Sequence, residues 1–275
     1  MKQIISSILC VAIATLFMTS CSKVEPYAIY YTTSNDTKIS IENVDLNDII
    51  VEHTYKEGKG VIVLSPEATS IVEKAFWYCE FITSVTIPDS VTKIGDSAFH
   101  GCSRLTSVTI GDSVTTIGGG AFYGCSSLTS VTIPDSVTTI GDTVFSSCSS
   151  LTSVTIPDSV TKIGEYAFSS CKSLTSVTIP DSVTTIGEEA FCACSNLTTL
   201  VIGSNVKEIG YYAFGNCSNL SDVYCKALVP PITVGYAFDY NSSFSTIYVP
   251  TESVEAYKSA KWWSDYKSSF EGYNF

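Results

Sequence analysis

The chain has little of what enzymes and nucleic-acid binders use. Only 15% of its 275 residues are charged, and its two histidines are His53 and His100. Neither stands beside a Ser, Cys or carboxylate in a recognisable catalytic motif, so no catalytic residue is assigned. Phosphate-cradling loops of the Walker or Rossmann kind are missing, because the glycines recur at a fixed period as turn punctuation. Cys192-x-Cys194 has no second ligand pair to complete a zinc site, so neither a metal nor a cofactor is implied. Positive charge is also scarce. With 15 Lys and Arg against 27 Asp and Glu, the formal net charge is -12, which argues against nucleic acid as a partner and against adsorption to anionic lipid. Long hydrophobic runs are lacking too, since Ile4 to Met18 falls short of the roughly 20 residues a membrane-crossing helix needs.

What the chain has in abundance is repetition. Cysteine recurs every 23 residues at Cys79, Cys102, Cys125, Cys148, Cys171, Cys194 and Cys217. Phenylalanine from Phe76 to Phe214 and isoleucine from Ile94 to Ile209, each Ile followed by Gly, keep the same period. A period between about 20 and 50 residues marks a solenoid, in which each turn buries its apolar face only against its neighbours. The fullest unit reads Cys-x-x-Leu-Thr-Ser-Val-Thr-Ile-Pro-Asp-Ser-Val-Thr-x-Ile-Gly-x-x-Ala-Phe-x-x, and LTSVTIPDSVT occurs unchanged at 128–138, 151–161 and 174–184. Ser-Val-Thr-Ile alternates polar and apolar residues, which predicts a short strand with Val and Ile inward. Proline and Asp-Ser then end it in a turn. A second extended piece ends at Ile-Gly, and x-x-Ala-Phe reads as one helical or 3₁₀ turn on the opposite side.

The predicted fold class is a β-rich repeat solenoid with one parallel sheet, short turns opposite, a β N-cap and a helical C-cap. Nine strands, counted from Ile62-Leu64 to Ile247-Val249, would stack to about 40 Å. The organisation reads as a signal peptide over 1–20, a lipidated tether over 21–27, a β cap over 28–61, the solenoid over 62–225, and an irregular last turn with a helical cap over 226–275. Strands Ile29-Tyr31, Ile39-Ile41, Ile49-Val51 and Val61-Leu64 are predicted for the N-terminal cap. At the other end Val254, Tyr257, Ala260, Trp263 and Tyr266 fall at helical spacing and, with Trp262 and Phe270, plug the solenoid; a ligand-binding Trp pair is the alternative.

The N-terminus carries Lys2, the apolar stretch Ile4 to Met18, and then Thr19-Ser20-Cys21. This segment resembles the signal and lipobox of bacterial lipoproteins, and the resemblance implies export and lipid attachment at Cys21, with the membrane reached through that anchor. An ordinary signal peptide that leaves Cys21 a free thiol is the alternative. Export with 11 cysteines would usually suggest disulfides. Seven of them at one repeated position, between Phe and Leu columns, fit a reduced and buried ladder instead, although successive thiols come near enough to leave oxidised pairs open.

Two surfaces are candidates for binding. One is the outward strand column of Thr86, Thr109, Thr132, Thr155 and Thr178, flanked by serines, which suits a protein or a regular glycan. The other is the variable positions around Ala-Phe, with Trp77, Tyr78, Tyr123, Tyr166, Tyr211 and Tyr212, where exposed aromatics make good contact residues. Asp89, Asp112, Asp135, Asp158 and Asp181 form an acidic column that either bridges calcium or stabilises each residue's own turn, and no Gly-rich calcium nonapeptide accompanies it.

The units resemble the leucine-rich repeats of BspA-like bacterial surface proteins, whose pattern also carries Leu-x-x-Val-x-Ile-Pro and Ile-Gly-x-x-Ala-Phe-x-x-Cys. Tyr30-Tyr31-Thr32, His53 to Gly60 and Val249-Pro250 through Tyr257 are similar to that family's flanks. The resemblance implies an exported, right-handed, non-catalytic solenoid of the cell envelope, placed as an outer-membrane lipoprotein. Some members of that family act as adhesins for host or bacterial surface proteins, and although the resemblance transfers no ligand, the expected role is an adhesion module for a protein partner, with glycan binding or a purely architectural role as the alternative.

Overall fold

The structure, a computed structural model, describes residues 27–39 and 50–275. The expected signal peptide, Cys21, and all of the expected tether but Tyr27 lie outside the described residues, as do positions 40, 41 and 49 of the cap strands expected at Ile39-Ile41 and Ile49-Val51.

The repeats coil into a β-solenoid. One parallel ladder is built from Ser-Val-Thr strands, in which Ser107, Val108 and Thr109 pair with Ser84, Val85 and Thr86, and Ser153, Val154 and Thr155 with Ser130, Val131 and Thr132. Alternation puts Val108, Val131 and Val177 inside while the flanking Ser and Thr face out. A second parallel ladder, of two-residue strands such as Lys162–Ile163 and Thr185–Ile186, runs along the Ile-Gly side. It is eight strands long, from Ser70–Ile71 to Ile232–Thr233. The solenoid therefore has two ladders, and the Ser-Val-Thr ladder itself is interrupted between Ser153–Thr155 and Ser176–Thr178, which belong to different sheets.

The first of the nine expected strands is placed differently. Lys59–Leu64 runs antiparallel to Ala28–Thr33 and Ile50–Lys56, so Ile62-Leu64 belongs to the cap and not to the parallel stack. Its alternating apolar residues are real, but the Glu57-Gly58 turn folds them back on the preceding strand, with both residues at positive φ. Ala28–Thr33 sits between this hairpin and the first repeat strand, Ile82–Thr86, and so covers that end of the ladder. At the other end Phe270–Tyr273 adds in parallel to Thr246–Pro250.

The Ala-Phe side is not helical. Along it alternate N–H groups bond within the turn and across to the next coil: His100 N–H donates to Ser97 O at 3.1 Å, whereas Phe99 N–H donates to Ala121 O at 2.7 Å. A helix would direct all of these bonds inward along one axis. Here positive φ at positions such as Ser97 (54°) and Gly101 (71°) rotates alternate peptides towards the neighbouring coil.

The core is a set of stacked columns. Phe99, Phe122, Phe145, Phe168, Phe191 and Phe214 are fully buried and stack face to face with centroids 5.0–5.5 Å apart. The six ladder thiols from Cys102 to Cys217 are free and fully buried, while Cys79, in the first coil, and Cys192, off the ladder, are half-buried. Each buried Sγ–H reaches back to the Phe carbonyl of the coil before, as Cys148 does to Phe122 O and Cys171 to Phe145 O, both at 3.2 Å. Burial pushes the Cys148 thiol up to about 12, so the ladder holds little of the thiolate that reacts.

The C-terminal plug forms, but not as one long helix. Val254–Ser259 is a six-residue helix, and Trp263–Tyr266 a 3₁₀ turn. Between them Trp262 takes φ 69° and breaks the run. The break parts the two tryptophans: Trp263 is buried against Phe238, whereas Trp262 meets the edge of Tyr236 and lies under Lys261. Tyr257 and Phe270 complete the plug.

The N-cap holds a titratable pair. The Tyr31 hydroxyl and His53 Nε2 share a hydrogen bond of 2.7 Å, and partial burial, with Lys38 nearby, lowers the His53 pKa to about 4. The folded cap thus needs neutral His53. Between its ordinary pKa near 6.5 and about 4, the unfolded chain binds a proton that the folded chain does not, so stability falls as pH drops through that window and levels off below it. Thermal unfolding followed from pH 7 to pH 4 should show this loss, and His53→Gln should flatten it; an unchanged slope in the variant would remove His53 as the cause.

Candidate binding faces

The Ser-Val-Thr strands present the hydroxyl column outward. Thr109, Thr132, Thr155 and Thr178 are exposed, and Thr86 is half-buried beside Ala28–Thr33. A neighbouring column of threonines is used internally instead: Thr106 Oγ1 donates to Thr83 O at 2.9 Å, and Thr152 Oγ1 to Thr129 O at 3.1 Å. These bonds tie coil to coil and leave the outward column as a rigid strand surface.

That surface changes character along its length. The register carries Thr178 to Val201, Val201 to Tyr224 and Tyr224 to Tyr248. Tyr224 and Tyr248 stack at 4.6 Å, and the Tyr273 ring meets both edge-on at 5.6 and 5.7 Å. Tyr273 and Phe275 are exposed, with centroids 5.0 Å apart. The Thr column therefore ends in an aromatic cluster that the sequence analysis did not single out. Its signal was present, since Asp222-Val223-Tyr224 holds the same offset from Cys217 that Ser-Val-Thr holds from the ladder cysteines.

The Ala-Phe side is divided. Trp77, Tyr78 and Tyr123 form one cluster through His100, whose ring stacks on Tyr123 at 4.6 Å and tilts against Tyr78 at 5.3 Å. Beside it, a groove of about 500 Å³ between cap and first coil is lined by Lys38, Ile39, Lys74, Trp77, Tyr78 and Phe81. Tyr211 and Tyr212 form a second cluster with Tyr240, edge-on at 4.1 Å and stacked at 5.9 Å. Glu189, Cys192, Tyr212, Asn216 and Tyr240 line a shallow hollow of about 440 Å³ there. Tyr166 joins neither cluster: its hydroxyl donates to Glu189 at 3.4 Å, and the Glu189 charge holds its pKa above the ordinary value. Small residues, Ser146, Ser147, Ser169 and Ser170, occupy the middle, so the six aromatics do not make one continuous face.

Little on these faces resembles reaction chemistry. His53 is held by Tyr31 and His100 lies in the aromatic stack. Among the described residues no group of three or more His, Cys, Asp or Glu is placed to hold a metal. Two members of the acidic column act between coils: Asp89 Oδ1 accepts the N–H of Asp112 at 2.9 Å, and Asp181 Oδ1 that of Ser204 at 2.8 Å. The Ser204 N–H is the main reason the Asp181 carboxyl lies below its usual pKa.

Comparison with known proteins agrees with the repeat. The family described as BspA type leucine rich repeat region, in six copies, matches residues 69–174 and 138–262. Among solved structures, a Treponema pallidum leucine-rich repeat protein is 29% identical, with 62% of this chain and 67% of that one covered and a TM-score of 0.41. A leucine-rich cell surface protein from Faecalibacterium prausnitzii is 22% identical over 92% of this chain and 94% of its own, at a TM-score of 0.30. The pneumococcal vaccine antigen PcpA is 15% identical over 76% and 70%, at 0.39. No curated protein matches the chain. With the family pattern running through most of its length, this chain belongs to the BspA-type leucine-rich repeat proteins.

Proposed function

We propose that this protein is a non-catalytic binding module of the bacterial cell envelope that adheres to a protein partner through the outward Ser-Val-Thr face. The observation that carries the reading is the outward register of Thr178, Val201, Tyr224 and Tyr248, with the Tyr273 ring packed on its end, beside the exposed Thr column of the preceding coils. Tyrosine supplies large contact area at low entropic cost, and strands hold it more rigidly than loops would. Attachment follows from Cys21: a lipid anchor there, in an outer-membrane lipoprotein, would leave the solenoid free to face a partner. A single acyl chain holds only marginally, so the anchor needs more than one.

Binding of the soluble domain to target surfaces should saturate and should fall when those surfaces are first treated with protease. Tyr248→Ala should weaken it by at least about tenfold, as expected of a buried aromatic contact. Protease-resistant binding that a free glycan competes away would replace a protein partner with carbohydrate. Protection of the protein from surface proteolysis of intact cells would end the adhesin reading altogether.

A further inference from the structure

The last coil departs from the others on the Ile-Gly side. The outward position just before the inward ladder residue is Lys162, Thr185 and Glu208 in successive coils, and the register puts Ile232 next. Ile232 is 69% exposed, and Leu228, Val229 and Val234 are 60%, 78% and 65% exposed. No other seven-residue stretch of the described residues carries four exposed large hydrophobics.

Ile232–Thr233 is also the end of its ladder. Ile232 N–H donates to Lys207 O at 2.7 Å and Val234 N–H to Ile209 O at 3.2 Å. Thr233, between them, therefore turns its own N–H and C=O away from the stack, because successive peptides of a strand point to opposite sides. In earlier coils the matching carbonyl is taken, as Ile186 O is by Gly210 N–H and Ile163 O by Gly187 N–H, both at 2.8 Å. The C-terminal cap closes only part of this edge. Trp263 Nε1 donates to Pro231 O at 2.7 Å, and Phe270–Tyr273 extends the other ladder. Among the described residues no further strand pairs with Ile232–Thr233, and an apolar strand edge of this kind is a template for strand addition.

We infer that the Ile232–Thr233 edge receives an extended segment of a partner protein, which adds as the next strand of the Ile-Gly ladder. Area decides the kind of occupant. At about 25 cal/mol per Å² and 1.5–3 kcal/mol per buried side chain, the four exposed aliphatics offer roughly 160–330 Å² of apolar surface, well under the ~800 Å² per partner of a standard stable interface. A second copy docked on this patch is therefore underprovided. A single strand needs less, because main-chain hydrogen bonds supply affinity and alternate apolar side chains supply register. The segment that fits carries a glycine-like N–H to meet Thr233 O and an apolar residue two positions earlier, in register with Ile232. The inference rests on the protein-binding reading above, and gives it a second contact site and a partner conformation.

The test uses the full chain and a labelled peptide reproducing residues 181–188, which contain the strand Thr185–Ile186 of this same ladder, with Val in place of Thr185 so that an apolar residue falls in register with Ile232. A second peptide carries sarcosine in place of Gly187, deleting the N–H aimed at Thr233 O while keeping the side chains. Fluorescence anisotropy should show saturable binding of the first peptide, weakened about tenfold or more by the sarcosine substitution and likewise in Val234→Asp, with the protein's melting temperature unchanged. The sarcosine comparison needs no protein variant, so it stands even if Val234→Asp folds poorly. Equal binding of the two peptides, or no binding of either, overturns the inference. A concentration-dependent dimer abolished by Val234→Asp overturns it as well, assigning the patch to a second copy. Loss of peptide binding with adhesion intact removes this site alone, whereas adhesion that resists protease removes the broader reading.

Discussion

Replacing Phe145 by Ala should cost about 3–5 kcal/mol of stability. The ring is fully buried and stacked between Phe122 at 5.5 Å and Phe168 at 5.4 Å. Truncation therefore opens a cavity whose floor and ceiling are themselves fixed columns. Neighbouring rings cannot slide in to fill it, because each coil's backbone is tied to the next, here through Phe145 N–H to Ala167 O at 2.8 Å. In a solenoid the damage should spread along the axis, since each coil is supported only by its neighbours. Denaturant unfolding should show an earlier midpoint, and hydrogen exchange should locate the loss in coils on both sides. Thr132→Ala, on the exposed column, gives the control, with a change within about 0.5 kcal/mol. A near-zero loss for Phe145→Ala would reverse the assignment of inside and outside.

Gly187→Ala should be nearly as damaging, for a different reason. A Cβ at Gly187 would lie 2.5 Å from the carbonyl carbon of Gly164 and 2.6 Å from the nitrogen of Glu165, both backbone atoms of the coil below. Backbone cannot swing aside as the end of a long side chain can, so the two coils must part. Parting them strains the ladder bond from Gly187 N–H to Ile163 O, 2.8 Å long, and the loss should be about 1–3 kcal/mol or more. Gly141→Ala should be milder, because the nearest backbone atom there, Ile117 O, is 3.3 Å away. Comparing melting temperatures of the two variants checks the argument; equal losses would mean that the glycine serves the turn and not the close approach of coils.

The repeat made most of the fold readable. Buried columns follow directly from a period of 23 residues, and inward and outward strand positions follow from two-residue alternation, so Phe145, Val131 and Thr132 were assignable from composition at each position. Two things were not legible. The Ala-Phe turn looked helical because its short apolar spacing fits a helix, while the left-handed residues at Ser97 or Tyr166 carry no compositional mark. The strand at Ile62-Leu64 read both as a cap strand and as a first coil, because alternation is identical in parallel and antiparallel pairs, and only its partner, Ala28–Thr33, decides for the cap. Of the candidate site, the Thr column was readable and its aromatic end only in part, because Tyr224 keeps the offset from Cys217 whereas Tyr248 lies where the consensus has already decayed. The division of the other aromatics into two groups depends on which coils carry serine between them, a matter of order along the axis and not of residue type.

The unchanged string at 128–138, 151–161 and 174–184 has a consequence for how such a protein can vary. A coil meets only the coil before and the coil after, through columns that have nearly the same composition in each of these three units. Excision or duplication of one 23-residue block would leave each remaining junction with its present partners, Phe on Phe and Ile on Ile. Length is thus close to a free parameter of this molecule. The solenoid's length can change by whole coils, each about 4.8 Å, while both ends keep the caps they have now.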